Sequence, residues 1–107
     1  MPALSAADFD GEALAVGRLT LVDFWAPWCV PCAKIAPLVE ELARTHEGRL
    51  TVYGLDVDAY PAPAARHDVL SLPTLILFRS GTEVARLTGT PSAKKINRAL
   101  APHLELP

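Results

Sequence analysis

The sequence predicts an α/β protein in which helices flank both faces of a central mixed β-sheet. In the first half, strand and helix patterns alternate as in a βαβ unit, after one additional N-terminal helix. In the second half, two strand patterns joined by a short turn precede a last helix, which favours a ββα unit. The 107 residues, 50% hydrophobic and 21% charged, suffice for one core. We therefore expect a single domain over residues 1–107.

A helix and a central strand are predicted at the start of the chain. Small, acidic and apolar residues alternate at helical spacing over residues 6–15, and Gly17 marks the end of this helix. Residues 19–26 are almost continuously apolar or β-favouring. Such a run is typical of a strand that is buried on both faces of a sheet. We therefore place this strand in the centre of the sheet.

An amphipathic helix and a second strand follow. From Cys32 onward, apolar residues recur at helical spacing until the chain approaches Gly48. Pro37 lies inside this helix and is predicted to bend it, because proline removes one backbone hydrogen bond and crowds the preceding turn. Residues 50–57 are predicted to form a strand parallel to the first, connected through a right-handed crossover.

The second half is predicted to contain a short helix, a hairpin and a last helix. Residues 60–66 are rich in proline and alanine and favour a short helix. Residues 74–78 and 83–88 are predicted strands, and the glycine between them favours a tight antiparallel turn. Thr90 is the predicted cap of the last helix, with Pro91 at its first helical position.

Charge and composition limit the classes of partner. Ten basic and twelve acidic residues give a net charge of −2 without any run of one sign, which argues against a nucleic-acid interface or a polybasic membrane anchor. Residues 1–16 contain three acids and no Lys or Arg, unlike a secretory signal, and no apolar run reaches membrane-spanning length. We therefore expect a cytoplasmic monomer whose partners are proteins or small disulfides.

Chemistry is indicated by the two cysteines, Cys29 and Cys32, at the junction between a strand and a helix. At this spacing they can form a disulfide, and a helix N-terminus stabilises a thiolate. A purely structural disulfide would contribute little, since a four-residue loop gives roughly 2 kcal/mol by chain entropy. A zinc site would need further ligands, and the three histidines are not at ligand spacing. Exchange of disulfides is the favoured interpretation over a structural bond, zinc or inert thiols.

The residues around this pair resemble the thioredoxin family, and the resemblance extends over nearly the whole chain. It rests on a Trp-Cys-x-Pro-Cys motif between strand and helix and on four further segments in the family's order: Val22-Asp23-Phe24-Trp25-Ala26, Ile35-Ala36-Pro37, Leu72-Pro73-Thr74 and Gly89. The implied architecture is the thioredoxin fold.

The resemblance assigns roles to the residues of the motif. Cys29 is expected to be the nucleophile that forms a mixed disulfide with a partner, and Cys32 the resolving thiol that releases the partner. Asp23 is expected to accept the proton of Cys32, because a carboxylate in an apolar strand has a raised pKa. Pro31 is shared with the family, whereas Val30 replaces a glycine and is expected to tune the redox potential.

A substrate-binding face is also implied. In the family, the proline that corresponds to Pro73 is cis and lies against the cysteines, and the backbone of the residue before it, here Leu72, pairs with an extended substrate segment. Trp28 and Gly89 are expected to complete an apolar surface around Cys29. The Lys that many bacterial relatives place beside the buried Asp is matched here by Gly54.

The resulting expectation is a dithiol carrier that reduces disulfide-containing proteins. It would bind no cofactor or metal and would use a reversible disulfide, while FAD and NADPH would belong to a partner thioredoxin reductase. One alternative is an oxidase or isomerase of the same fold, although such relatives usually have His within the dipeptide where this chain has Val30 and Pro31. Another is a non-catalytic binding subunit or holdase that uses the apolar face around Trp28.

Overall fold

The structure, a computed structural model, describes residues 1–104. The predicted domain therefore includes three residues, 105–107, that lie outside the described part. Eight elements follow one another in the predicted order: α1 (Ala6–Glu12), β1 (Leu19–Trp25), α2 (Val30–Thr45), β2 (Thr51–Asp56), α3 (Pro61–Arg66), β3 (Thr74–Arg79), β4 (Thr82–Thr88) and α4 (Ala93–Leu104).

The four strands form one mixed sheet in the order β2-β1-β3-β4. β1 is parallel to β2 and antiparallel to β3, and β3 is antiparallel to β4. The parallel pair requires a crossover, which α2 supplies. The predicted βαβ and ββα units, and the central position of β1, are therefore confirmed.

Both faces of the sheet are covered by hydrophobic side chains, as the continuous apolar pattern of β1 predicts. Successive residues of a strand point to opposite faces, so β1 contributes to two clusters. On one face Leu19 and Leu21 pack with α2 and α4, and on the other Val22 and Phe24 pack with α1 and α3. Asp23 follows Leu21 at the two-residue period, and its side chain therefore lies on the α2 face.

The N-terminal segment adds a short extension to the sheet. The Leu4 N–H donates to the Gly54 carbonyl at 2.8 Å, and the Gly54 N–H donates to the Pro2 carbonyl at 2.9 Å. Residues 2–4 therefore cover part of the outer edge of β2, which would otherwise have unpaired backbone groups. The predicted additional N-terminal element is thus a helix preceded by one β-bridge.

The first two helices differ from the predicted boundaries. α1 ends at Glu12 rather than at residue 15, and beyond it Leu14 is only partly buried and Val16 is 90% exposed. α2 begins at Val30, two residues before its apolar periodicity starts, and Cys29 itself caps the helix. Its first turn lacks apolar periodicity, so the hydrophobic pattern alone could not reveal it.

The start of α4 corrects a second prediction. Thr90 is not the cap and Pro91 is not the first helical residue, since the helix begins at Ala93. The Ser92 hydroxyl instead accepts a hydrogen bond from the Lys95 N–H at 3.1 Å. A serine next to the helix supplies this cap, while Pro91 is buried against the fold.

The hairpin between β3 and β4 is tighter than predicted. Its turn consists of Ser80 and Gly81, with φ angles of 50° and 84°. Two consecutive left-handed residues are the combination that two-residue hairpins favour, because their twist matches that of the strands. A β-carbon on Gly81 would also lie 3.0 Å from the Leu14 carbonyl oxygen, so glycine is required here for two reasons.

None of the helices within residues 1–104 is sufficiently long and apolar to span a bilayer.

Candidate active site

The cysteine pair lies at the N-terminus of α2, where β1 delivers the chain. Cys29 and Cys32 form a disulfide, with their Cα atoms 5.3 Å apart. Cys29 has extended backbone angles and is the N-cap, and its Sγ accepts a hydrogen bond from the Cys32 N–H at 3.2 Å. Pro31 occupies the first turn, where its missing N–H leaves no helical bond unmade. The unpaired N–H groups and dipole of the helix therefore act directly on the Cys29 sulfur.

Both cysteines share one cavity with Asp23. The cavity has a volume of about 240 Å³ and an almost entirely apolar lining. Trp25 and Met1 also line it, together with Ala26, Pro27, Ala33 and Ala36. The two cysteines are nearly buried, with 6% exposure for Cys29 and 3% for Cys32. A proton released in this space meets one titratable side chain, the Asp23 carboxyl, among the lining residues that are not cysteines.

Asp23 is a buried carboxyl group with an oxygen that lacks a hydrogen-bond partner in the described residues. Its side chain is 1% exposed, and its Oδ1 has no hydrogen-bond partner among residues 1–104. Burial disfavours the ionised form and raises the pKa of Asp23 from 3.8 to about 7. The carboxyl can therefore exchange a proton at neutral pH.

Gly54 pairs with Asp23 in the β1–β2 register, as the family resemblance implies. A β-carbon on Gly54 would lie 3.3 Å from Nε1 of Trp25 and 3.5 Å from Cε of Met1. Two uncharged side chains therefore occupy the space beside Asp23 in which many relatives place a Lys. Nothing in the sequence signals the position of Met1, because its contact with this cavity depends on the path of the N-terminal segment.

An exposed apolar face adjoins the disulfide. Trp28 is 67% exposed and Val30 is 64% exposed, although both are large hydrophobic residues. Nε1 of Trp28 donates to Oδ2 of Asp58 at 2.8 Å, which fixes one edge of the indole ring. Asp58 was not identified from the sequence, but it follows β2 just as Trp28 follows β1, and parallel strands end at the same edge of a sheet.

The loop before β3 completes this face. The Leu72-Pro73 peptide bond is cis, as the family resemblance implies. Leu72 packs against the cluster of Ala26, Cys29 and Cys32, and Pro73 is buried. The Gly89 N–H donates to the Pro73 carbonyl at 3.1 Å, so the residue after β4 is attached to the residue before β3. The predicted site residues thus come from three separate segments, which are connected by the packing of Leu72 beside the cysteines and by the hydrogen bond between Gly89 and Pro73.

The histidines lie outside this arrangement. His67 packs its ring against Phe9 and Phe78, with centroid distances of 5.3 and 5.2 Å. His46 follows the end of α2, and its N–H donates to the Leu42 carbonyl. Within residues 1–104, no group of three or more His, Cys, Asp or Glu side chains is placed to hold a metal ion. His67 is therefore a packing residue between two aromatic rings of the core.

Comparison with known proteins identifies the family. A family model described as Thioredoxin matches residues 1–102. Among curated proteins, the thioredoxins of Staphylococcus aureus strains Mu50, MW2 and USA300 are each 44% identical to this chain over 98 residues, which is 92% of both proteins. Together with a disulfide at the N-terminus of a helix, this similarity covers both the fold and the reactive groups. The chain therefore belongs to the thioredoxin family and is a thiol-disulfide oxidoreductase.

Proposed function

We propose that this oxidoreductase works as a dithiol carrier that reduces disulfides in other proteins. In this proposal Cys29 is the nucleophile, Cys32 is the resolving thiol and Asp23 accepts the proton of Cys32. Val30 and Pro31 tune the potential, and Trp28, Leu72, Pro73 and Gly89 form the surface on which the partner docks.

The reaction begins with the reduced pair. The Cys29 thiolate attacks one sulfur of the partner disulfide, the partner's S–S bond breaks, and its other sulfur leaves as a thiolate that takes up a proton. Cys32 then loses its proton to Asp23 and attacks Sγ of Cys29. The mixed disulfide breaks, and the partner's second sulfur leaves as a thiolate that is then protonated. Two electrons pass to the partner, which becomes a dithiol, while Cys29 and Cys32 become a disulfide.

The observation that carries this proposal is the hydrogen bond from the Cys32 N–H to Sγ of Cys29. The donor belongs to the first turn of α2, where the helix dipole and the unpaired N–H groups favour negative charge. Those interactions stabilise a thiolate at Cys29 more than a thiol, and only the thiolate attacks disulfides. Cys32 is inside the helix and does not occupy the cap position, so it does not receive this stabilisation.

Asp23 supports the second half of the cycle. A general base is most effective when its pKa is near the working pH, and the pKa of Asp23 is about 7. Its carboxyl lines the same cavity as both cysteines. Apart from the cysteines, no other titratable side chain of the described residues lines this cavity, so a proton leaving Cys32 has few alternative protein acceptors.

The proposal extends to partners and setting. The family implies disulfide-containing proteins as substrates and a thioredoxin reductase as the usual partner, with FAD and NADPH acting in the reductase. The net charge of −2 and the absence of charge runs support protein partners over nucleic acid or membrane surfaces. We further propose that the chain acts as a monomer in the cytoplasm.

The roles of the cysteines are tested by two single substitutions. Cys29→Ser should abolish insulin reduction, whereas Cys32→Ser should accumulate a mixed disulfide that is visible by non-reducing mass spectrometry. The double variant Cys29→Ser/Cys32→Ser is the control for non-covalent binding. Absence of insulin reduction in wild type, together with retained binding of partner proteins in the double variant, would instead favour a holdase that uses the exposed face around Trp28 and Val30.

The direction of electron flow is tested by the midpoint potential. The pair is equilibrated against defined thiol buffers, quenched with acid and counted by alkylation mass shift. A potential more negative than that of the cytosolic glutathione pool supports a reductant. A distinctly more oxidising potential would favour the oxidase or isomerase instead.

A further inference from the structure

The loop between α3 and β3 is held from β4 by Arg86. Nη1 of Arg86 donates to the Asp68 carbonyl at 3.1 Å, and Nη2 donates to the His67 carbonyl at 2.6 Å. These carbonyls come immediately after the C-terminus of α3, where helical backbone acceptors lack partners within the helix. A cation at this position also offsets the partial negative charge of the helix end. Arg86 thus satisfies the first two carbonyls of the loop.

Glu83 holds the guanidinium in this orientation. Nε of Arg86 donates to Oε2 of Glu83 at 2.8 Å, and Nη2 donates to Oε1 at 2.7 Å. This bidentate geometry leaves Nη1 and the remaining Nη2 hydrogen for the two carbonyls. The Arg86 side chain is only 28% exposed. A lysine could not reproduce the arrangement, because its single ammonium lacks the planar fork.

A β-bulge makes the pairing of Glu83 with Arg86 possible. On β4, the step from Glu83 to Ala85 matches a single step on β3, so Val84 is an extra residue. In a regular strand, residues three apart point to opposite faces of the sheet. The extra residue shifts this alternation and brings Glu83 and Arg86 to the same face. Simple period-two reasoning from the sequence would have separated them.

The same loop reaches the disulfide at its other end. Oγ1 of Thr74 donates to the Ser71 carbonyl at 2.7 Å, which fixes the end of the loop near β3. Between the two attachments, Leu70 is 94% exposed and Leu72 packs beside the cysteines. The loop is therefore fixed at its start by Arg86 and at its end by Thr74. The residues that face the partner lie between them.

We propose that Arg86, oriented by Glu83, is a positioning residue for the docking of protein disulfides. It fixes the start of the loop that holds Leu72 and Pro73 beside Cys29, so an extended partner segment meets a preformed surface. The inference rests on the proposed function, because it assumes that the partner docks over Leu72 and Pro73. Small disulfides need no such surface and should not depend on Arg86. The pair thus sets affinity for protein partners without taking part in the chemistry.

The test compares protein and small disulfides in single-turnover reactions. Pre-reduced protein is mixed with insulin over a range of concentrations, quenched with acid and alkylated, which gives a half-saturating concentration and a limiting rate. The second reaction uses the small aromatic disulfide 5,5′-dithiobis(2-nitrobenzoate). Variants are Arg86→Gln, Arg86→Lys and Glu83→Gln. Arg44→Gln is the matched control, because it removes an exposed Arg–Glu pair of the same spacing at 2.7 Å on α2.

The expected result is a three- to tenfold increase in the half-saturating insulin concentration for Arg86→Gln and Arg86→Lys. Glu83→Gln should give a smaller increase. Limiting rates and small-disulfide rates should stay within twofold of wild type, and Arg44→Gln should change neither. An unchanged half-saturating concentration in Arg86→Gln would overturn the inference. An equal loss with both disulfides would also overturn it, because it would indicate general damage to the fold. Failure of the proposed function is distinguishable, since wild type itself would then fail to reduce insulin at any concentration while still reacting with the small disulfide.

Discussion

Asp23 on β1 and Glu83 on β4 are carboxylates on one sheet with opposite surroundings. Asp23 is 1% exposed and its Oδ1 is unpaired within residues 1–104, whereas both oxygens of Glu83 accept hydrogen bonds from Arg86. Burial raises the pKa of Asp23 to about 7. The hydrogen bonds from Arg86 hold the pKa of Glu83 below its ordinary value. A carboxylate left unpaired is available to move a proton, and a paired one fixes structure.

The two groups therefore affect stability with opposite dependence on pH. Between pH 4 and 7 the native state keeps a proton on Asp23 that the unfolded chain releases, so the free energy of unfolding falls as pH rises. Glu83 is ionised in the native state before it is ionised in the unfolded chain. Its contribution is present above pH 4.5 and is lost as pH falls through its lowered pKa.

The largest expected effect comes from removing the buried charge. Asp23→Asn should gain stability relative to wild type as pH rises from 4 to 8, by on the order of 3 to 4 kcal/mol. The reason is that wild type must ionise a buried carboxyl over this range and the variant must not. The measurement is denaturant unfolding of both oxidised proteins at each pH.

Burying the amide of Asn has a free-energy cost that does not depend on pH. Comparing the two proteins at several pH values therefore cancels this cost. Asp10→Asn is a suitable control, because Asp10 is a surface residue paired with Arg66. A stability difference between wild type and Asp23→Asn that stays constant from pH 4 to 8 would contradict the raised pKa.

In the reduced protein, the same variant should slow release of the partner from the mixed disulfide while leaving formation of the mixed disulfide unchanged.

The second prediction gives Asp23 a partner of the kind that Glu83 has. Gly54→Lys would place an ammonium beside Asp23 and should lower its pKa by about one to two units. The β-carbon fits if Trp25 moves by a few tenths of an ångström, since the nearest atom is at 3.3 Å. The titration of Asp23 is followed by the carbon chemical shift of its carboxyl in labelled protein.

Gly54→Met is the matched control for this change. It adds a side chain of similar length without charge, so it should leave the pKa of Asp23 at about 7 or raise it further through better exclusion of water. An equal decrease of the pKa in both variants would show that crowding, and not charge, is responsible.

Much of the fold follows from local patterns, and the errors have local causes too. The continuous apolar, β-favouring run of β1 predicts a strand covered on both faces, and that prediction is confirmed. Thr90 before Pro91 has the sequence of a helix start, but Ser92 supplies the cap because it is closer to the first helical residue. Cys29 was not recognised as a cap because serine, threonine, asparagine and aspartate usually occupy that position.

Without the family resemblance, which assigned Leu72, Pro73 and Gly89, the site was predictable only to the extent that it lies within one motif. Cys29, Cys32 and Asp23 lie on one strand and the helix after it, so their proximity follows from a single connection. The position of Met1 in the cavity lining and the hydrogen bonds of Arg86 to the loop after α3 are contacts between segments that are distant in the sequence. The Arg86 contact also depends on a bulge, which reverses the alternation that a sequence pattern would use.

The third prediction removes the charge of the paired carboxylate. Glu83→Gln should cost about 0.5 to 1 kcal/mol of stability at pH 7, because the pair is partly exposed and screened by solvent. The loss should shrink as pH falls through the lowered pKa of Glu83, because wild type then takes up the same proton. Denaturant unfolding at pH 7 and at an acidic pH measures it. A loss that is equal at both would indicate packing of the side chain and not its charge.

The smallest effect is expected at Asp58, an exposed carboxylate. Asp58→Ala should change the free energy of unfolding by less than about 0.5 kcal/mol. Asp56, not Asp58, holds this turn, since Oδ1 of Asp56 accepts from the Asp58 N–H at 2.9 Å. The half-saturating insulin concentration should nevertheless rise about twofold, because Trp28 loses the acceptor that fixes its ring and must be ordered on docking. Asp58→Asn keeps an acceptor oxygen and should resemble wild type. If Asn and Ala variants were equally impaired, the charge of Asp58 rather than its hydrogen bond would be what the partner requires.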